Sequence, residues 1–330
     1  MYGPSPQLRT TPSPRTNAAP RAPVGCWLKR EEAIMGTAIR VELWCEFRSA
    51  GEAAIDAVMA EMHRIDRAMS PHKATSELSI INRDAADHAV PLSGEMLGLL
   101  RRSLQFSELS DGAFDVTFAA VGRLFDYRSG KRPSTGELAQ AREAVGYRKL
   151  QLNAKDQTIR FTVPGMCIDL GGFAKGYAVD RACALLRARG ITHAHISAGG
   201  DSRVMGDRRG RPWSIGVRDP RQPGEVVAVL PLEDTSISTS GDYERYFDEG
   251  GVRFHHLIDP ASGESPQQIR SVTVLGDDGL STEAFSKMLF VLGLEKGMRL
   301  IEAQDDLDAL VVDSAGVLHY SRGLLAGRPQ

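Results

Sequence analysis

The chain has 330 residues, 42% hydrophobic and 25% charged, with a formal net charge of −2. This is globular composition, long enough to bury a sizeable core as one large domain or two smaller ones. It carries no broad basic footprint for nucleic acid, and no window holds the uninterrupted apolar run of a membrane span.

Residues 1–28 are expected to be a disordered, proline-rich segment. Up to residue 25 they carry Pro4, Pro6, Pro12, Pro14, Pro20 and Pro23, with Arg9, Arg15 and Arg21 and no acidic residue. Such a stretch cannot bury enough apolar surface to offset the entropy of ordering. It lacks the apolar centre of a secretory signal, and Val24-Gly25-Cys26 matches a lipoprotein processing site only faintly. The expected location is therefore the cytoplasm, with the periplasm as runner-up. Residues 29–330 are expected to form a single domain.

Alternation predicts a strand over 38–44. Helical spacing of Ile55, Val58, Met59, Met62, Ile65 and Met69 predicts a helix over 53–69, its methionines read as core. A second helix is predicted over 95–109. Residues 157–170 read as two strands or a hairpin turning at Pro164-Gly165. They lead through Gly171-Gly172 into a helix that runs past Leu186 and stops at Gly190. Short strands are predicted over 193–197, 213–217, 225–230, 236–238, 253–258 and 271–275, then a helix over 282–292 and a closing strand pair within 309–319. Hairpins and isolated helices, without a steady βαβ beat, predict an α+β fold. The four cysteines, Cys26, Cys45, Cys167 and Cys183, contain no CxxC pair, which argues against a cysteine zinc site or a disulfide framework.

Three segments carry chemistry. In Asp169-Leu170-Gly171-Gly172-Phe173-Ala174-Lys175-Gly176-Tyr177 a strand empties through two glycines into a helix whose first turn holds a lysine. Free N–H groups and the positive helix end favour an anion such as a diphosphate, and the spacing is neither GxGxxG nor a Walker loop. Seen alone, such a segment is more often plain turn chemistry than an anion site. In 253–260 a strand delivers His255, His256 and Asp259 to a Pro/Gly loop, where a histidine has the right intrinsic pKa for proton transfer; the plain alternative is a capped strand end. On the late helix, Glu283, Ser286 and Lys287 fall on one face, where a Glu–Lys surface ion pair is the simple reading.

Taken with further strings, these segments are specific. From about Met35 to about Val312 the chain resembles the ApbE family, the FAD:protein FMN transferases. The likeness is carried by Met35-Gly36-Thr37, by Ser70 through Ser76-Glu77-Leu78 to Asn82, and by Gly112-Ala113-Phe114-Asp115-Val116-Thr117. It continues in Asp169-Leu170-Gly171-Gly172 through Lys175-Gly176-Tyr177-Ala178-Val179-Asp180, in Ala198-Gly199-Gly200-Asp201 and in Thr239-Ser240-Gly241-Asp242-Tyr243. His256-Leu257-Ile258-Asp259-Pro260 with Ser262-Gly263, and Leu289-Phe290-Val291-Leu292-Gly293, complete it.

The resemblance implies one FAD-binding transferase domain of mixed or antiparallel sheets with packed helices. It implies that Met35, His72, Ala113, Phe114, Asp115, Asp169, Lys175 and Leu257 line the FAD site, with His256 as proton acceptor and Lys175 as a catalytic cation. It implies a magnesium ion held by the Gly172 carbonyl and the late helix, at the positions of Glu283, Ser286 and Lys287. The partner implied is an acceptor flavoprotein whose loop presents a threonine or serine hydroxyl, which attacks the FMN phosphorus and releases AMP. The sequence departs from the family at His72, where a tyrosine often packs on the flavin. It departs again at Glu283 and Lys287, where family members usually carry aspartate and threonine. An ammonium cannot ligate Mg2+, so the expectation divides: either Lys287 takes over part of the metal's charge, with Glu283 orienting it or holding a single magnesium ion, or the protein binds FAD without transferring it. FAD pyrophosphatase, with water replacing the hydroxyl, is the rival reaction.

Overall fold

The computed structural model describes residues 25–326. The expectation of disorder over residues 1–24 lies outside the described residues. The sheet itself begins at Cys26, so residues 26–28 belong to a strand, and the boundary expected at 28 moves. Trp27 and Leu28 supply the apolar contacts: Trp27 packs edge-on against Trp44 and Trp213, and Leu28 is buried.

Eight strands form the central sheet: β1 (Cys26–Ile34), β2 (Thr37–Cys45), β3 (Ala194–Ala198), β4 (Asp201–Met205), β5 (Ser236–Gly241), β6 (Ile269–Gly276), β7 (Asp308–Asp313) and β8 (Leu318–Tyr320). Their order across the sheet is their order along the chain, and every neighbouring pair is antiparallel. With no crossover required between neighbours, the long connections are free to carry helices. The fold is α+β.

Helices α1 (Arg48–Met69), α2 (Ala174–Ala188) and α3 (Gly279–Leu292) lie side by side on one face of this sheet. The apolar stripe predicted for α1 is wholly buried, and the helix begins five residues earlier than its periodicity predicts. There Gly51 packs so closely that an added Cβ would lie 2.4 Å from the Cys45 sulfur. On the opposite face, the hairpin Trp213–Arg218/Val226–Leu232 covers Val204, Ile237, Leu275, Leu310 and Val312. The pleat sorts β5 accordingly. Ile237 faces the hairpin, whereas Ser238 and Ser240 face α3 and meet Thr282 and Ser286 hydroxyl to hydroxyl, at 2.9 Å and 2.7 Å.

The hairpin expected at Pro164-Gly165 is a misreading. The strands are Leu150–Asn153 and Thr158–Phe161, and their turn is held by the Asn153 side chain, which accepts from Lys155 N and Asp156 N. The apolar run 166–170 is buried without being a strand. Asn82 reaches across to donate to the Ile168 carbonyl (2.9 Å) and accept from its N–H (2.8 Å), and Asp169 N–H donates to Val116 O. Burial made this run resemble a strand; its backbone partners are a side chain and a loop.

Candidate functional site

One end of the sheet gathers the chemistry. The β1–β2 turn is Met35-Gly36, both with positive φ (54° and 70°). A left-handed methionine is costly in a two-residue hairpin, and it presents the half-buried Met35 at this end. The β3–β4 turn, Gly199-Gly200, is wedged between Thr37 and β5: a Cβ on Gly199 would sit 2.8 Å from Thr37 Oγ1. Its tightness delivers Asp201 to the first position of β4, on the helical side.

The entry to α2 is propped from below. The Phe114 ring lies against Gly172, where an added Cβ would be 3.0 Å away, and Phe114 itself meets Phe106 edge to face and Phe173 at a tilt. Asp169 Oδ1 accepts from Gly171 N–H at 2.5 Å and fixes the glycine turn. The N-cap residue Phe173 offers no side-chain cap. The Ala174 N–H donates to the Leu170 carbonyl and the Gly176 N–H to Glu283, which leaves the Lys175 N–H and the positive helix end for an anion. Inside the first turn, Gly176 crosses α3 at Gly279 so closely that a Cβ would lie 2.0 Å from the Gly279 carbonyl oxygen. Only glycine permits this approach, and through it Glu283 reaches α2.

Two carboxylates and two ammonium groups meet there. Lys175 Nζ donates to both Asp201 Oδ2 and Glu283 Oε1. Glu283 Oε2 accepts from Gly176 N–H at 2.7 Å, and Oε1 also accepts from Lys287 Nζ at 3.1 Å. Asp201 and Glu283 are fully buried, whereas Lys175 and Lys287 keep 28% and 17% of their side chains exposed. The cations therefore form the outer face of the cluster. Burial alone would raise the Glu283 carboxyl, but Lys175 and Lys287 outweigh it and hold it down at about 2. Burial would likewise lower Lys175, yet Asp201 and Glu283 keep its ammonium above the ordinary lysine range. Lys175 is thus a cation pinned between two carboxylates.

His256 faces the same group. Strand Val252–His255 ends just before it, and its N–H donates to the Arg245 carbonyl at 3.1 Å. Its Nδ1 is buried without a hydrogen-bond partner among the described residues. Burial first, then the charges of Lys287, His255, Arg245 and Lys175, push the imidazole down to about 3. It is a neutral base at ordinary pH, lying in the field of the ammonium groups. His255, by contrast, is core: its Nε2 pairs with the Pro266 carbonyl at 2.9 Å and its ring abuts Phe290.

The other expected residues divide. Ala113, Asp169 and Gly172 are half-buried around the α2 entry, Leu257 is buried behind His256, and His72 is exposed on the turn leaving α1. Asp115 is turned into the protein: Oδ1 accepts from Thr117 N–H and Oγ1–H, and Oδ2 from Tyr147 N–H. It braces a loop. Sequence reasoning passed over two groups. Asp201 was signalled only as the end of a glycine string, although a carboxylate that opens a strand after a tight turn is a positioned one. Arg245 is exposed, with its guanidinium over Gly36 and its charge acting on His256.

The expected magnesium ligands do not fit a magnesium ion. Mg2+ needs compact octahedral oxygen donors. Both oxygens of Glu283 are engaged by N–H and ammonium donors, and Lys287 brings a positive charge to a ligand position. Ser286 donates to the Glu283 carbonyl (2.7 Å) and pairs with Ser240, so its hydroxyl is spent between helix and sheet. Among the described residues Asp201 Oδ1 is a buried carboxylate oxygen without a hydrogen-bond partner, on the carboxylate whose Oδ2 takes Lys175. Among the described residues no set of three or more His, Cys, Asp or Glu is placed to hold a metal.

Comparison with known proteins returns a consistent picture. The sequence model of the ApbE family matches residues 35–311. The chain is 31% identical over 316 residues to the FAD:protein FMN transferase of Treponema pallidum, covering 90% of this chain and 87% of that protein. It is 29% identical to that of Klebsiella pneumoniae, with 90% of each covered. The crystal structure of the ApbE protein from Thermotoga maritima superposes with a TM-score of 0.85 at 30% identity, over 92% of this chain and 100% of that one. The flavin transferase ApbE from Vibrio cholerae gives 0.81 at 25%, over 92% and 99%.

Proposed function

The chain belongs to the ApbE family, and from that premise we propose that it takes FAD as substrate and transfers its FMN half to a hydroxyl of a partner flavoprotein. The enzyme is of the FAD:protein FMN transferase type. The observation that carries the reading is a neutral imidazole, His256, in the field of two ammonium groups at the N-terminal end of α2.

The diphosphate of FAD lies across Gly171-Gly172 and the N-terminus of α2, where the positive helix end and the ammonium of Lys175 receive it. Met35, Ala113, Asp169 and Leu257 line the path of the flavin and ribityl chain, with Phe114 supporting the turn from beneath. A threonine or serine hydroxyl in an acceptor loop attacks the FMN phosphorus. The new O–P bond forms as the bond to AMP breaks, AMP carries away the electron pair, and His256 takes the hydroxyl proton. An imidazole pushed down to about 3 in the free protein is a weak base. A bound diphosphate places negative charge beside it and raises its proton affinity, so the base is strengthened only when substrate is present. No step is routed through a metal ion.

The test is incubation of the protein with FAD and a flavoprotein domain bearing an exposed threonine or serine loop, read by mass spectrometry of that domain. FMN attached through a phosphoester, with AMP released, is the expected result. His256→Ala should retain FAD affinity while transfer falls about 10²–10⁴-fold. Free FMN formed without acceptor would mark a pyrophosphatase, FAD bound with no turnover would mark a binding protein, and joint loss of binding and transfer in the variant would make His256 a packing residue.

A further inference from the structure

We propose that Lys287 is a built-in cation of the transfer step, so that FAD binds and reacts here without a divalent metal. The inference rests on the flavin-transfer reading and deepens it. Lys287 lies on α3 one turn beyond Glu283, and its ammonium has a single protein partner among the described residues, Glu283 Oε1 at 3.1 Å. An ammonium has three donors, so two remain for a ligand, on a side chain that is 17% exposed and whose charge acts on His256.

Charge balance gives the residue its purpose. Lys175 alone serves two buried carboxylates, Asp201 and Glu283. Without Lys287 the cluster would present a net negative charge to an incoming diphosphate. With Lys287 and both carboxylates ionised it is neutral, and burial of Asp201 raises its carboxyl and moves the balance toward positive. The α2 end together with exposed Arg245 makes the surroundings attractive. The same ammonium repels a metal ion, and Glu283, bonded to Gly176 N–H and both lysines, offers it no oxygen. In the reaction the acceptor O–P bond forms, the P–O bond to AMP breaks, and the proton passes to His256. The negative charge growing on the AMP phosphate is met by the Lys287 ammonium, with no electron gained or lost by any group.

The experiment uses the full chain, stripped with EDTA, and measures FAD affinity from quenching of flavin fluorescence with and without millimolar magnesium chloride. Thermal melts check that each variant is folded. Wild type should bind FAD equally in both conditions. Lys287→Met should lose about 30-fold or more in affinity, with or without magnesium, as expected on removing a partly buried charge partner. The double variant Glu283→Asp/Lys287→Thr, which withdraws the carboxylate from Gly176 and substitutes a hydroxyl, should regain affinity only in magnesium. Wild-type binding that requires magnesium, or wild-type affinity in Lys287→Met, overturns the proposal and leaves the flavin reading standing. Absence of FAD binding in both conditions sinks that reading, and the proposal with it.

Discussion

Asp115 and Glu283 are both buried carboxylates, and the protein holds them in opposite ways. Asp115 is gripped by donors that cannot move, the N–H groups of Thr117 and Tyr147 and the Thr117 hydroxyl. Burial dominates there and raises its carboxyl above the ordinary value of 3.8. Glu283 is gripped by one backbone N–H and two ammonium groups on flexible, partly exposed stems, and these hold it near 2. A carboxylate satisfied by fixed backbone groups fastens loops together. One satisfied by ammonium groups at an opening can share those cations with a ligand, and that difference separates brace from site.

The largest way to break the comparison is Lys175→Met. Asp201 and Glu283 would lose their common partner inside the protein, and stability should fall by about 3–5 kcal/mol. Urea denaturation measures it, and a change below about 1 kcal/mol would place the cluster in water-like surroundings and end the contrast. Next is Asp115→Asn, which turns one acceptor into a donor facing an N–H. It should cost about 2 kcal/mol, yet leave FAD affinity of the folded molecules unchanged; a selective loss of FAD binding would return Asp115 to the ligand site. The smallest effect is the sharpest. Glu283 is depressed from 4.5 to about 2, so its contribution is complete above pH 4.5 and is lost as pH falls toward about 2. Asp115 is raised, so its term has the reverse sign: it favours the fold below 3.8 and fades as pH rises through the folded value. Glu283→Gln should therefore flatten the acid decline below pH 4.5 by at most about 1.4 kcal/mol per pH unit, whereas Asp115→Asn should steepen it. Parallel stability curves for the two variants and wild type would remove the distinction.

Much of this was legible before the fold. The stripe of α1, the stop at Gly190 (φ 75°) and the strands at 236–238 and 271–275 follow from periodicity and glycine, because both signals are local. The run 166–170 misled, since apolarity reports burial and not the partner, and Asn82 took the place of a strand. Asp115 entered through the resemblance alone, and only the packing shows its side chain turned onto Thr117 and Tyr147.

In the site, the i, i+4 spacing of Glu283 and Lys287 was enough to pair them, whereas the lysine in the first turn of α2 suggested an anion-binding end only in company with the other strings. The chain alone thus determined which groups could titrate, donate or cap, because those properties belong to residues and their near neighbours. It left open whether the Glu–Lys pair was a surface ornament or a buried charge centre. The glycine crossing of Gly176 over Gly279 decided that, together with the tight Gly199-Gly200 turn that sends Asp201 inward. Contacts between residues 26 and 108 positions apart depend on how helices lie on a sheet, and the desolvation that makes those charges matter exists only once that packing has formed.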